Sequence, residues 1–153
     1  MIDLEASAER IVDQPPERVF ALVADPRRAP EWDPGVLAVE QITPGPVGAG
    51  ALFRETHRVF ARRHTVELEI DSYQAPWLVS YATTAGGPKG GTRYELSAHG
   101  RGTRIRAVAS ARVGGPLLLI APVLGRVMRR QLPVTLAQVE QTLRDDDTPC
   151  GRG

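Results

Sequence analysis

The fold is decided by the stretch Pro15-Pro16-Glu17-Arg18-Val19-Phe20, where a strand pattern gives way to a helix pattern. Ahead of it, apolar and polar residues alternate over 2–9, which is the period of a strand with one buried face. Paired prolines suit the first turn of a helix, and Asp25-Pro26 stops that helix before a corner that carries Trp32. The opening therefore predicts a strand, a short helix and a second short helical turn.

Further strands follow, separated by loops rich in glycine and proline. They are predicted over 36–42, on both sides of a hairpin turn at 61–62, and over 77–84, 92–98 and 103–113. Because the loops are short, neighbouring strands are expected to be antiparallel.

A long helix is predicted after the glycine and proline at 114–116. Pro133 lies inside it and is expected to kink or split it, because proline removes a backbone hydrogen bond. The apolar residues of this helix form one stripe: Leu117, Ala121, Leu124, Met128, Leu132, Leu136, Val139 and Leu143.

The first long hairpin can be registered from its side-chain pattern. If the turn occupies 61–62, His57 faces Val66 and Glu55 faces Leu68. All four side chains then share one face of the sheet, and a slide of two residues would keep them there. The assignment of faces is therefore independent of the turn type.

Length and charge bound the function. The chain has 153 residues and a formal net charge of +1, which fits one domain, predicted over 1–144 with a disordered tail at 145–153. The near balance of acids and bases predicts no nucleic-acid partner. The longest apolar run, at 117–124, is too short to span a membrane, and membrane contact is not expected. The lone Cys150 cannot form an internal disulfide, so a soluble protein of the reducing cytoplasm is expected.

Several short motifs resemble a known group, the polyketide cyclase/dehydrase-like branch of the START-related helix-grip superfamily. The resemblance implies an α+β fold in which a curved, seven-stranded antiparallel sheet wraps around a long C-terminal helix. It also implies two short helices after the first strand and a ligand cavity between the sheet and the C-terminal helix. The matching motifs lie at 15–20, 24–26, 31–34, 48–50 and 102–105.

Glu55 and His57 are the candidate catalytic residues. They lie two residues apart on the otherwise apolar face, so their α-carbons are about 7 Å apart on the same side. Burial would raise the pKa of a carboxyl group and lower that of an imidazole, which suits proton transfer or ligand hydrogen bonding. The alternatives are a polar pair whose members bond to each other and a strand end that reaches solvent.

The remaining polar and aromatic residues are either predicted to bind the ligand or predicted to lie outside the site. His64 is expected at the exposed hairpin tip, and Arg10 is expected to reach outward from its strand. The histidine spacing predicts no metal, and no cofactor motif is present. The predicted ligand-binding residues are Trp32, Phe53, Val66, Leu68, Tyr81, Tyr94, Leu124 and Met128.

Three functions remain open from the sequence. The first is binding of a small hydrophobic or aromatic molecule in the cavity. The second is an aromatase/cyclase that directs aldol cyclisation or dehydration of a polyketide-like precursor. The third is a partner-binding or chaperone-like module that uses the outer sheet face or the apolar end of the last helix.

Overall fold

A computed structural model of the chain describes residues 1–59 and 61–147. These described residues form seven strands and three α-helices, and a 3₁₀ turn precedes each of the second and third helices. The strands are β1 (Ile2–Val12), β2 (Val36–Gln41), β3 (Leu52–Val59), β4 (Arg62–Gln74), β5 (Leu78–Ala85), β6 (Lys89–His99) and β7 (Gly102–Val113). The helices are α1 (Pro16–Val23), α2 (Ala29–Trp32) and α3 (Ala121–Asp147), and the 3₁₀ turns are Pro26–Arg28 and Gly115–Ile120.

The strands form one antiparallel sheet in the order β1-β7-β6-β5-β4-β3-β2. Its first strand therefore pairs with its last, while β2 and β3 form the other end. The long helix α3 packs mainly against β1 and also contacts β7, α1 and α2. This arrangement confirms the predicted helix-grip fold.

The register of the β3–β4 hairpin differs from the prediction by two residues. His57 pairs with His64 and Glu55 pairs with Val66, because Val59 pairs with Arg62 and the turn falls one position earlier. Ala61 has a φ of 65°, which is unusual for a residue other than glycine. Since the slip is even, the predicted faces are retained.

The helix α3 begins and ends later than the sequence predicts, because residues 115–120 form a 3₁₀ turn. It runs through Pro133 as one helix, so a split at this residue is wrong, whereas a kink stays a prediction. It also continues to Asp147, three residues into the segment predicted to be disordered, and 148–153 lie outside the described residues. The buried part of its stripe is Ala121, Leu132, Leu136, Val139 and Leu143.

The core lies between the concave face of the sheet and the helices. Phe53, Ile70 and Leu136 are among the largest side chains with almost no exposed surface. Burying a side chain of this size contributes roughly 1.5–3 kcal/mol. Within the described residues, no helix combines the length and the apolar character needed to cross a membrane.

Candidate functional site

A cavity of about 320 Å³ opens on the concave face of the sheet. Aromatic and aliphatic side chains surround it, and a group of ionisable side chains lies among them. Its lining residues are Pro26, Ala29, Trp32, Asp33, Val36, Glu55, His57, His64, Val66, Leu68, Tyr81, Thr83, Gly91, Thr92 and Tyr94.

The walls of the cavity come from the sheet and from the segment 26–33. Strands β2 to β6 supply one wall, and the 3₁₀ turn with α2 supplies the other. Among the described residues, none from α3 belongs to the lining, although a cavity between sheet and α3 was predicted. The reason is the position of α3, which packs mainly over β1, at the far end of the sheet from β3 and β4.

The C-terminal half of α3 instead holds the outer wall in place. The Thr142 hydroxyl donates a hydrogen bond of 3.0 Å to the carbonyl oxygen of Glu31, immediately before Trp32. The Arg28 guanidinium bridges the carboxylates of Glu31 at 2.9 Å and Asp146 at 3.0 Å. These contacts hold the segment 28–31 against the helix. The helix α3 therefore positions the outer wall of the cavity without contributing a described residue to its lining.

Glu55 and His57 form a directly bonded pair within the lining. His57 Nε2 lies 2.8 Å from Glu55 Oε1, and the two side chains are 29% and 10% exposed. The hydrogen bond to Glu55 raises the pKa of His57 above its ordinary 6.5 and outweighs burial, which acts in the opposite direction. The predicted lowering of an imidazole pKa is therefore wrong for His57. The pair can hold a proton close to a bound molecule.

Asp33 adds a second carboxyl group to the same cavity. Burial is the main cause that raises its pKa above 3.8, and this effect is opposed by the backbone N–H of Gly35 and by His57. The Gly35 N–H donates to Asp33 Oδ1 at 3.0 Å. Asp33 follows Trp32 in the chain, so the α2 corner that places the indole also places this carboxyl group.

Three aromatic residues pack edge to face along the cavity. The ring centroids of Trp32 and Tyr94 lie 5.8 Å apart, and those of Tyr81 and Tyr94 lie 6.5 Å apart. Tyr81 donates its hydroxyl hydrogen to the carbonyl oxygen of Val23 at 2.6 Å, so this hydrogen is already engaged. Trp32 Nε1 is buried, with no hydrogen-bond partner among the described residues. The ring cluster therefore offers mainly apolar surface.

The predicted ligand-binding residues fall into two groups. Trp32, Val66, Leu68, Tyr81 and Tyr94 line the cavity together with Glu55 and His57. The residues outside the lining are Phe53, which is fully buried in the core, and Leu124 and Met128 on α3.

His64 and Arg10 differ in how they relate to the cavity. His64 is exposed as predicted, yet it lines the cavity because it pairs directly with His57 across the hairpin. Its Nε2 lies 2.6 Å from the carbonyl oxygen of Gly86, and since a carbonyl can only accept, Nε2 carries the hydrogen. Arg10 pairs with Glu140 at 2.7 Å, and neither lines the cavity.

Sequence reasoning missed several lining residues. Thr83 and Thr92 lie two positions from Tyr81 and Tyr94 on their strands, so the alternation of faces could have identified them. Asp33 has no such periodic pattern, because it lies at the end of a short helix. Within the described residues, no cluster of three or more His, Cys, Asp or Glu side chains is arranged to hold a metal ion.

The Glu55–His57 pair gives the protein a predicted pH dependence. A folded-state pKa above the unfolded value means that the folded protein binds this proton more tightly. The resulting stabilisation is complete below pH 6.5 and is lost as pH rises through the raised pKa. In Glu55→Gln, the pKa of His57 is expected to fall, as measured by NMR titration of its ring hydrogens.

The control is Glu69→Gln on the opposite face of β4, which should leave the His57 titration unchanged. An unaltered His57 pKa in Glu55→Gln would show that another group sets it.

The sheet, the long helix and the cavity beside them define a helix-grip protein. A family model confirms this class and makes it more specific. The chain belongs to the family described as "Polyketide cyclase / dehydrase and lipid transport", whose model matches residues 3–143. Among curated proteins, the sequence comparison found no match.

Solved structures share the whole fold at low sequence identity. The Zhui aromatase/cyclase from a Streptomyces species has a TM-score of 0.82 and 16% identity, covering 98% of this chain and 99% of that chain. A START superfamily protein from Mycobacterium smegmatis has a TM-score of 0.81 and 14% identity, covering 93% and 98%. A protein from Thermus thermophilus has a TM-score of 0.77 and 20% identity, covering 94% and 99%. At these identities the likeness establishes the fold.

Proposed function

We propose that the protein binds a small, uncharged apolar or aromatic molecule in the cavity of the concave sheet face. The observation that supports this most is the lining itself, in which Trp32, Tyr81 and Tyr94 surround about 320 Å³ together with Val66 and Leu68. This volume lies at the lower end of the range for small-molecule pockets. The family described as including lipid transport supports the same class of ligand.

The charges of the lining favour a ligand without a carboxylate. Asp33 and Glu55 both line the cavity, while the described lining contains no lysine or arginine. A ligand anion would meet like charges in a partly buried place, where repulsion is weakly screened. The ligand is therefore expected to present hydroxyl or carbonyl groups to the Asp33 and His57 end, and rings or alkyl groups to the aromatic wall.

An aromatase/cyclase activity is the second candidate. It is favoured by the Glu55–His57 contact of 2.8 Å within the cavity and by structural similarity to the Zhui aromatase/cyclase. If Nε2–H of His57 donates to Glu55, the neutral ring has an acceptor nitrogen left, which can take a proton from a carbon between two carbonyl groups. The resulting enolate carbon attacks a second carbonyl carbon, and the new alkoxide takes up a proton.

The two tyrosines would contribute differently to such a reaction. Tyr81 already donates its hydroxyl hydrogen to the carbonyl oxygen of Val23, so this hydrogen is not available for a substrate carbonyl. Tyr81 would therefore contribute only its ring, as part of the cavity wall. Burial raises the pKa of Tyr94, which keeps its phenol neutral. Most of the acceleration would come from holding a flexible chain in one folded conformation.

The double variant Glu55→Gln/His57→Phe separates the two functions. Under the binding function, affinity for an uncharged fluorescent probe such as N-phenyl-1-naphthylamine should stay within about tenfold, or ~1.4 kcal/mol. Under the cyclase function, conversion of a short poly-β-ketone to an aromatic product, followed by ultraviolet absorbance, should fall by about a hundredfold or more.

The matched control replaces the outward carboxylate Glu69 by Gln and should alter neither readout. If the native protein binds no uncharged aromatic probe at all, the binding function is wrong. If it forms product and the double variant forms it equally fast, the roles given to Glu55 and His57 are wrong.

A further inference from the structure

The N-terminal half of α3 carries apolar side chains on two opposite faces. Ala121 and Leu132 belong to the buried face that packs on the sheet. Val123 and Val127 lie on the other side of the helix and are 54% and 47% exposed, and Ile120, the last residue of the preceding 3₁₀ turn, is 46% exposed. A helix that is apolar on both sides normally has a partner on both sides.

The 3₁₀ turn before α3 extends this exposed apolar surface. None of its residues is buried, and Leu119 is 87% exposed. We call the combined surface the apolar ridge; its members are Leu117, Leu118, Leu119, Ile120, Val123 and Val127. Single exposed apolar residues are common, but six within eleven positions make a continuous patch that indicates an interaction site.

All charged residues in the chain segment that carries the apolar ridge are positive. No Asp or Glu occurs from 113 to 139, while Arg126, Arg129 and Arg130 fall in that interval. All three arginines are exposed. The ridge is therefore flanked by a local charge of +3 in a chain whose formal net charge is only +1.

Although no membrane contact is expected from the sequence, we propose that the apolar ridge and its three arginines form a docking surface for an anionic lipid bilayer. Aliphatic side chains beside arginines match the division of a bilayer surface into acyl region and anionic headgroups. Pairing with a second copy through the same patch would bring two such arginine clusters together at a cost in repulsion. The composition of the ridge is less typical of a protein–protein interface, because the ridge contains no Trp or Tyr.

Vesicle flotation of the full chain tests the proposal directly. The protein should float with vesicles of equal parts phosphatidylcholine and phosphatidylglycerol and stay behind with phosphatidylcholine alone, and added salt should weaken the binding. The variant Leu119→Ser/Val123→Ser should lower the partition coefficient at least tenfold. The variant Arg126→Gln/Arg129→Gln/Arg130→Gln should do the same.

A charge-matched control separates this surface from general attraction. The variant Arg62→Gln/Arg63→Gln/Arg101→Gln removes three exposed arginines at hairpin ends, and it should bind vesicles like the native chain. Circular dichroism and the melting temperature should show that all variants are folded, since every changed residue is exposed.

Three results would overturn the proposal. The first is that the native chain does not float with anionic vesicles. The second is that the control variant and the ridge variants lose vesicle binding equally. The third is that the native chain binds no vesicles and forms a dimer that dissociates in Leu119→Ser/Val123→Ser. The last of these would assign the ridge to self-association.

Discussion

Gly91→Ala is expected to destabilise the protein by about 4 kcal/mol or more, which is a large part of the stability of a small domain. Gly91 lies in β6 between Ala82 of β5 and Ser110 of β7. A Cβ atom there would overlap the carbonyl oxygen of Tyr81 and lie 2.8 Å from its carbonyl carbon. Because the obstacle is backbone, no side-chain rotation relieves it, and the β5–β6 pairing must open.

Urea unfolding followed by circular dichroism measures the effect, with Gly48→Ala as the matched control. At Gly48 a Cβ atom would have no other atom within 4 Å, so alanine there should be neutral or stabilise by up to about 1 kcal/mol. Stability of Gly91→Ala within about 1 kcal/mol of the native value would contradict the close approach of these strands.

Val66→Trp is expected to lower the affinity for an uncharged aromatic probe about a hundredfold, or ~2.7 kcal/mol. Val66 lines the cavity and pairs with Glu55 of the neighbouring strand β3. An indole at this position would occupy space that the probe needs. Because the new indole would fill the cavity and not a densely packed core, Val66→Trp should keep the native fold. Fluorescence titration with N-phenyl-1-naphthylamine measures the affinity.

Thr65→Trp is the control for this variant. Thr65 is the preceding residue of β4, is exposed and is not part of the lining. It should leave probe binding unchanged. Equal affinity in native protein and Val66→Trp would place the probe elsewhere, and the proposed binding site would then be wrong.

The two ends of the sheet differ in what they contact. At one end, β1 and β7 receive α3 and contribute to the packed core. Toward the other end, β2 to β6 form one wall of the cavity, and the other wall is held to α3 by Thr142 and Arg28. Movement of the C-terminal half of α3 would therefore change the cavity wall, although no described residue of α3 lines the cavity.

The surface proposal and the cavity proposal are independent of each other. The ridge lies at the N-terminal end of α3, whereas the contacts that hold the cavity wall involve Thr142 and Asp146 near its C-terminal end. Loss of vesicle binding with intact probe binding, or the reverse, would identify which of the two fails.

The faces of the strands were predictable because alternation along a strand is a local property. Glu55 and His57 were placed inside together with Val66 and Leu68, and a register error of two residues did not disturb this. The error itself arose at the turn, where Ala61 adopts a positive φ that no local pattern indicates. The buried half of the α3 stripe follows from the same kind of local periodicity.

The contents of the cavity were predictable only in part. Leu124 and Met128 were assigned to the ligand because a cavity under α3 was implied. The helix α3 instead covers mainly β1, the first strand, which pairs with the last strand β7. Asp33 and His64 enter the lining through a helix end and a cross-strand pair. The pKa of His57 is set by its hydrogen bond to Glu55, whose strength depends on how two neighbouring side chains are oriented.

By itself, the sequence determined the strands, the inward faces, the long helix and the family fold, because each depends on spacing over a few residues or on short motifs. The tertiary structure alone decided where the cavity lies, which side chains meet in it and which face of α3 remains exposed. Those features depend on contacts between residues far apart in the chain, such as Arg28 with Asp146 and Tyr81 with Val23. Periodicity carries no information about which distant element covers a given face.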